Sequence, residues 1–172
     1  MSLENLVNHQ IRLAARPVGL PKASDWSHTS EPVAEPAEGG VTLKTLALSL
    51  DPAMRGWMND AKSYIPPVGI GEVMRAGGVG KVIASKNDKF AVGDYVSAGF
   101  GVQEYITIAK EDIRSNGMVK IDLRVGSLTQ WLNVLGMPGM TGYFGLMDVG
   151  QPQPGETLVV SGASGAVGQT VG

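Results

Sequence analysis

Short segments of alternating hydrophobic and polar residues dominate the first part of the chain. VTLKTLALSL, residues 41–50, is the first clear strand, and its apolar positions change phase between Leu43 and Leu46, as a bulge or bend would require. Three more runs rich in β-branched and aromatic residues follow: GVGKVIASK, FAVGDYVSAGF and QEYITIA. Upstream, prolines in RLAARPVGLPKASDW and SEPVAEPAEGG leave room only for short extended pieces. This pattern predicts a mainly β first domain, a barrel or a sandwich.

The pattern changes near Ser127, a plausible N-cap. In SLTQWLNVLGMPG the apolar residues recur at helical spacing, which predicts a helix over residues 128–135 that Gly136 and Pro138 close. MTGYFGLMDVG predicts a second short helix, and ETLVVSG predicts a buried strand that runs into the terminal glycines. We therefore expect a domain over residues 1–125, and the start of a parallel α/β domain over residues 126–172.

Composition and charge exclude several classes of function. Hydrophobic residues make up 43% of the 172 residues, as in a compact globular protein, and the net charge is −2 without a basic stripe, so nucleic acid is not an expected partner. No apolar run is long enough for a membrane helix and no signal peptide pattern opens the chain, which predicts a cytoplasmic protein with no membrane partner. With no Cys and only His9 and His28, we expect no disulfide and no metal site.

The C-terminal stretch VVSGASGAVGQTVG is the main candidate for chemistry. Gly162, Gly165 and Gly168 follow an apolar segment at a spacing of three, and a helix can open after them, which fits a turn that binds a dinucleotide pyrophosphate. Alternatively, the glycines serve only tight packing. A third interpretation treats GASGA as the nucleophile elbow of a hydrolase with Ser164 as nucleophile, but Ala166 replaces its last glycine and both histidines precede the serine.

Two other segments admit both a structural and a functional interpretation. LDPAMRGWMND is either a turn with solvated charges, among them Arg55, or the mouth of a cleft. LGMPGMTGYFG is either a hinge padded by methionines or a ligand contact centred on Thr141.

Several motifs together resemble the medium-chain dehydrogenase/reductase superfamily. They are RPVGLP, LSLDPAMRGWM, SYIPPVGIGEVM, GDYV and LGMPGMTGYFGLMDVGQPQPGETLVVSGASGAVGQTVG, and they span nearly the whole chain. The resemblance is to the zinc-independent branch that holds prostaglandin and leukotriene reductases, plant alkenal double-bond reductases and bacterial curcumin reductase. The absence of Cys agrees with that branch.

The resemblance implies an N-terminal GroES-like β-barrel followed by a Rossmann domain, with NADPH bound in the cleft between them. It also implies reduction of the C=C bond of a small enone, an α,β-unsaturated ketone or aldehyde, by hydride transfer to the β-carbon and protonation at the α-carbon. Carried over by motif, the residues that meet the cofactor pyrophosphate are Gly165, Ala166, Val167 and Gly168. The residues beside the nicotinamide are Met137, Met140 and Thr141, and those that line the cofactor and substrate cleft are Pro52 and Met54. No catalytic residue is assigned.

Three departures from the family pattern qualify this interpretation. Ala53 stands where the family usually has Tyr, which removes an aromatic contact, and Gly142 stands where it usually has Ala. Family members are also much longer than 172 residues, so we expect the chain to be the N-terminal portion of an enzyme and to be inactive alone. The alternative is a non-enzymatic GroES-like binding or assembly module. Because TLVV is an apolar strand with an open edge, a homodimer is a further expectation.

Overall fold

Residues 3–172 are described by a computed structural model, in which the chain forms two compact units, Met1–Ile121 and Asp122–Gly172. Within these described residues, no helix has the length and apolar character needed to cross a membrane. The domain bounds 1–125 and 126–172 stay a prediction.

The first unit contains two antiparallel sheets, two short α-helices and one 3₁₀-helical turn, Ala23–Asp25. Strands β1 (Val7–Leu13) and β2 (Trp26–Pro32) form a hairpin-like pair. The other sheet has the order β6-β3-β4-β5-β7. Its strands are β3 (Val41–Leu48), β4 (Gly77–Ser85), β5 (Tyr95–Gly99), β6 (Tyr105–Ile108) and β7 (Val119–Lys120). The helices are α1 (Ala53–Trp57) and α2 (Asp112–Ser115).

Strand β1 also bonds to segments that adjoin the larger sheet. The Ile11 amide donates to the Val102 carbonyl at 2.9 Å, and the Met74 amide donates to the Ile11 carbonyl at 2.9 Å. The β1–β2 pair is thereby joined to the larger sheet by main-chain hydrogen bonds, so the unit closes on itself as a barrel would.

The four strands predicted between residues 41 and 109 are confirmed, including the irregularity in β3. Its register with β4 shifts between Thr42 and Leu43 and again between Thr45 and Ala47. These irregularities bend the strand, which explains why its apolar residues change phase.

The two proline-containing segments hold only the ends of strands, as expected, but sequence reasoning missed β1 and β2 themselves, strands of 7 residues each that lie mostly outside those segments. The inward positions of β1 include the amides Asn8 and Gln10, which are 7% and 5% exposed. Both donate to the Gln103 Oε1 atom, at 3.0 and 3.1 Å. Because these buried positions are polar and satisfied by a residue distant in sequence, hydrophobic alternation cannot reveal the strand.

The core of the first unit has two clusters. The larger lies on the five-stranded sheet and consists of Val41, Leu43, Val82, Phe90, Val96, Ala98, Phe100, Ile108 and Met118. The smaller consists of Leu13, Met58, Val68 and Met74, and Trp26, Met54, Trp57 and Val102 pack against it. The smaller cluster therefore fixes one side of α1.

The second unit is helical in its described residues. Its helices are α3 (Leu128–Leu132), α4 (Met137–Phe144) and α5 (Ala166–Val171), and a π-helical turn, Gly145–Gly150, continues α4. The Ser127 N-cap is confirmed: its Oγ accepts from the Gln130 amide at 3.3 Å, and Gln130 Oε1 accepts from the Ser127 amide at 2.8 Å.

Two predictions for the second unit are wrong. Helix α3 ends at Leu132, and Gly136 and Pro138 open α4 instead of closing α3. Proline suits the first turn of a helix because it has no N–H, and amides of that turn have no acceptor within the helix. Residues 156–162 form no strand, and Val159 is 86% exposed. An isolated apolar segment has no ladder of hydrogen bonds, and no described strand pairs with this one.

Gly80 in β4 offers a test of the packing between the strand and Phe100. A Cβ at position 80 would lie 2.5 Å from Phe100 Cζ and would also press on the Lys44 carbonyl oxygen. We expect Gly80→Ala to lower the free energy of unfolding by about 1–3 kcal/mol, measured by urea denaturation. The matched control is Gly77→Ala in the same strand, where a Cβ meets nothing within 4 Å. Equal effects of the two substitutions would contradict this packing.

Asp94 offers a test of the electrostatic contact at β7. The hydrogen bond from the Lys120 ammonium to Asp94 Oδ2, 2.7 Å, holds the pKa of Asp94 below its ordinary value, and the Ala91 amide adds a second bond at 2.7 Å. A lowered folded-state pKa stabilises the fold above the unfolded pKa, and this stabilisation is lost as pH falls through the folded pKa. We therefore expect Asp94→Asn to destabilise the protein at neutral pH by about 1 kcal/mol or less.

In acid, the stability difference between Asp94→Asn and the unsubstituted protein should vanish. Denaturation curves over a pH series measure it, and Asp88→Asn is the control because Asp88 is exposed. A difference that persists unchanged at the lowest pH would contradict the assignment.

Candidate functional site

The glycine turn before α5 has an exposed main chain and no side-chain cap. Gly162 has φ +62°, a conformation that favours glycine, and the Gly165 amide donates to its carbonyl at 2.9 Å. Gly165 is the extended N-cap residue of α5, and no side chain accepts from the first amides of the helix. The predicted turn into a helix is therefore present, and exposed amides without a capping side chain fit the oxygens of a pyrophosphate.

The third glycine of the motif has a packing role. A Cβ on Gly168 would lie 2.8 Å from Ala163 Cα and would collide with the Gly162 carbonyl oxygen. Gly162 itself has open space around its Cβ position. The glycines of the motif therefore differ in role. Gly168 lets the helix and the turn approach closely, whereas Gly162 has space around it and supplies the left-handed conformation of the turn.

Helix α4 packs against α5 at Gly142. A Cβ there would lie 3.2 Å from Thr170 Cγ2, so the missing side chain lets the two helices approach. On α4, Met137 and Met140 are 74% and 56% exposed. Met137, Met140 and Thr141 therefore share one compact unit with residues Gly165 to Gly168.

The Thr141 hydroxyl is already engaged within its helix. Its Oγ1 donates to the Met137 carbonyl at 2.8 Å. Because the hydroxyl proton is used in this bond, the Thr141 side chain can only accept a hydrogen bond from a ligand.

Pro52 and Met54 belong to the first unit, at the start of α1. Pro52 is the exposed N-cap residue of this helix. Met54 is half-buried against the smaller core cluster, and its Sδ accepts from the Asp51 amide at 3.4 Å. The Pro52 side chain is therefore accessible to a ligand, whereas the Met54 side chain is partly accessible and partly packed against the core.

Arg55 is not a solvated charge, so that part of the structural interpretation of LDPAMRGWMND is wrong. Its Nη2 donates to the carbonyl oxygens of Gly19 and Pro17 at 2.9 and 3.2 Å, and its Nε donates to Gly19 at 3.2 Å. Arg16, which sequence reasoning missed, donates through Nη1 to the Met58 and Val68 carbonyls at 2.8 and 2.7 Å. Main-chain acceptors leave no signature in a sequence, so only the RPVGLP motif pointed to this region.

The structure gives no support to the hydrolase alternative. Within residues 3–172, no hydrogen bond joins the Ser164 hydroxyl to a base, and His9 bonds through Nδ1 to Ser30 Oγ at 2.8 Å. The same residues contain no group of three or more His, Cys, Asp or Glu side chains able to hold a metal ion.

The fold and motifs define a class of protein. Mainly antiparallel sheet followed by helices and a glycine turn is the arrangement of the medium-chain dehydrogenase/reductase fold, with its N-terminal GroES-like domain, and the sequence prediction of that fold is confirmed. Residues 9–115 match a family model described as the N-terminal domain of oxidoreductase. The chain belongs to that family.

Two of the curated relatives are named as NADP-dependent reductases. The chain is 46% identical over 165 residues to the NADPH-dependent curcumin reductase of Escherichia coli, which covers 96% of this chain and 46% of that protein. It is 38% identical over 173 residues to the NADP(+)-dependent 2-alkenal reductase of Nicotiana tabacum, covering 98% of this chain and 49% of the relative. The chain thus spans about half the length of the curated relatives it matches.

A solved structure shares the fold closely. The crystal structure of CurA from Vibrio vulnificus in complex with NADPH superposes with a TM-score of 0.84 at 46% identity, covering 95% of this chain and 47% of that one. The recognition of the superfamily is therefore confirmed.

Gly168 allows a test of the turn. Since a Cβ would collide with the turn's own main chain, we expect Gly168→Ala to displace α5 and to abolish the helical Cα chemical shifts of residues 166–171 in NMR spectra. The control is Gly145→Ala, where a Cβ meets nothing within 4 Å. Helical shifts retained in Gly168→Ala would show that the close approach is not needed.

Proposed function

We propose that the chain is the N-terminal portion of an NADP-dependent oxidoreductase that reduces the C=C bond of α,β-unsaturated ketones and aldehydes. The observation that carries this proposal is the uncapped glycine turn at Gly165, in a chain whose relatives are named as NADPH-dependent curcumin reductase and 2-alkenal reductase. The turn supplies main-chain amides for a dinucleotide, and the relatives supply the substrate class.

When bound, NADPH would supply a hydride for the β-carbon of the enone, and the α-carbon would take up a proton. The main chain from Gly165 to Gly168 would hold the pyrophosphate, because the first amides of α5 have no capping side chain. The Met137 and Met140 side chains, which are exposed, and the Thr141 oxygen would flank the nicotinamide. We assign no proton donor within residues 3–172.

The substrate is held, in this proposal, by apolar surface at the start of α1. Pro52 is exposed, and Ala53 is exposed beside it where the family pattern has a tyrosine. A smaller residue at position 53 leaves more room beside Pro52 and Met54, which favours bulkier enones. Inactivity of the 172-residue chain alone, a cytoplasmic location and a homodimer stay predictions.

The assay follows NADPH oxidation with a panel of enones, using the gene product that contains this chain and, in parallel, the 172 residues alone. We expect enone-dependent oxidation by the former and none by the latter. Oxidation by the 172 residues would overturn their inactivity, and a folded gene product that reduces no enone would favour the binding or assembly module.

Gly165→Asp tests the cofactor role of the turn in the same assay. Aspartate is a favoured N-cap, so α5 is retained, but its carboxylate repels a pyrophosphate at this position. We expect the KM for NADPH to rise about tenfold or more, because like charges in contact cost several kcal/mol. Gly145→Asp makes the same charge change at an exposed position of the second unit and should leave that KM unchanged. Equal KM values in the two variants would contradict the assignment.

A further inference from the structure

The segment Pro17–Leu20, called here the strap, presents two aliphatic side chains to solvent. Val18 is 90% exposed and Leu20 is 86% exposed. Gly19 between them has φ +75°, a left-handed conformation that turns the chain sharply. Two large aliphatic side chains this exposed, separated by a single residue, are costly to leave in water when nothing else covers them.

Arg55 fixes the strap to α1. Its guanidinium donates three bonds to the strap's main chain, two to the Gly19 carbonyl and one to that of Pro17, and a fourth, at 2.6 Å, to Asn59 Oδ1. All three nitrogens of the planar guanidinium donate, so the side chain holds its acceptors in one orientation. The strap is therefore tied to the helix that carries Ala53 and Met54.

Arg16, the residue before the strap, forms hydrogen bonds in the reverse direction, from the strap toward α1. Its guanidinium donates to the Met58 and Val68 carbonyls, and Met58 directly follows α1. Within the described residues neither guanidinium forms an ion pair with a carboxylate, so both charges are committed to main-chain carbonyls. Arginine hydrogen bonds in both directions thus hold an exposed apolar segment beside α1. A loop that only connects two strands does not need its main chain fixed in this way.

We propose that the strap is a specificity element of the enone site: Val18 and Leu20 form an apolar wall for the substituent of the enone, and Arg55 and Arg16 are positioning residues for that wall. This inference rests on the proposed function. A third large aliphatic side chain is exposed on the α1 side, since Leu50, two residues before Pro52, is 82% exposed. The expected ligand chemistry is therefore an enone with a large apolar substituent.

The kinetic test compares two enones, benzalacetone with its phenyl group and methyl vinyl ketone without a large substituent. We expect the double variant Val18→Ser/Leu20→Ser to lower the ratio of kcat/KM for the large over the small enone about five- to tenfold, through the KM of benzalacetone, because apolar contacts of this size discriminate by such factors. Both positions are exposed, so the fold is retained. The control is Val92→Ser, which removes an aliphatic side chain of 63% exposure elsewhere in the first unit and should leave the ratio unchanged.

The positioning role is tested by Arg55→Ala and the conservative Arg55→Lys. Alanine should lower the ratio as the double variant does, with kcat for methyl vinyl ketone retained, whereas lysine should restore part of it through a single carbonyl bond. A ratio unchanged in the double variant would overturn the inference while leaving the proposed function intact.

A binding measurement keeps the two hypotheses separable. Methyl NMR spectra of the 172-residue chain titrated with benzalacetone should show shifts at Val18 and Leu20 and none at Val92. Shifts at the strap in a protein that reduces no enone would support the wall and reject the reductase. Absence of shifts at both strap residues would overturn the wall directly.

Discussion

The Gln103 side chain is the contact on which the arrangement of the first unit depends. Its Oε1 accepts from the side-chain amides of Asn8 and Gln10, and its Nε2 donates to the Phe100 carbonyl at 2.7 Å. Together with the main-chain bond from Ile11 to Val102, this half-buried amide joins β1 to the turn after β5, and an amide satisfied at both ends favours a single register. Strand β1 ends at Leu13, three residues before Arg16, so the strap continues from a strand whose register these bonds support.

The second unit depends on missing side chains instead of polar contacts. Gly142 lets α4 and α5 approach, and Gly168 lets α5 sit against its own turn. Both contacts join the methionine-bearing helix and the glycine turn in one packed body. The spacing between proposed nicotinamide and pyrophosphate contacts is therefore fixed by backbone proximity, which explains why glycines recur in this short stretch.

Sequence reasoning found the features that local chemistry determines. The bulged β3, the Ser127 cap and the turn before α5 follow from residue types within a few positions of each other. The family followed from motifs spread over the chain, and residues 9–115 confirm it. The roles of the candidate cofactor residues stay a proposal, because they depend on a ligand's position and not on chain geometry.

The failures share a physical cause. Strand β1 was missed because its inward amides bond to Gln103, and the segment over residues 156–162 was taken for a strand although a strand exists only with a partner. The solvated-charge alternative for Arg55 fails because the acceptors of its guanidinium include main-chain carbonyls. In each case the group that decides the outcome is either distant in the sequence or a main-chain atom, which every residue type possesses.

The use of main-chain carbonyls as acceptors has a consequence for how the strap can vary. Every residue offers the same carbonyl oxygen, so the hydrogen bonds from Arg55 and Arg16 survive whatever side chains occupy positions 18 and 20. Substitutions at these two positions can therefore leave the geometry of the segment intact. New ligand preferences could arise at two exposed sites, whereas substitution of either arginine would remove bonds that hold the segment.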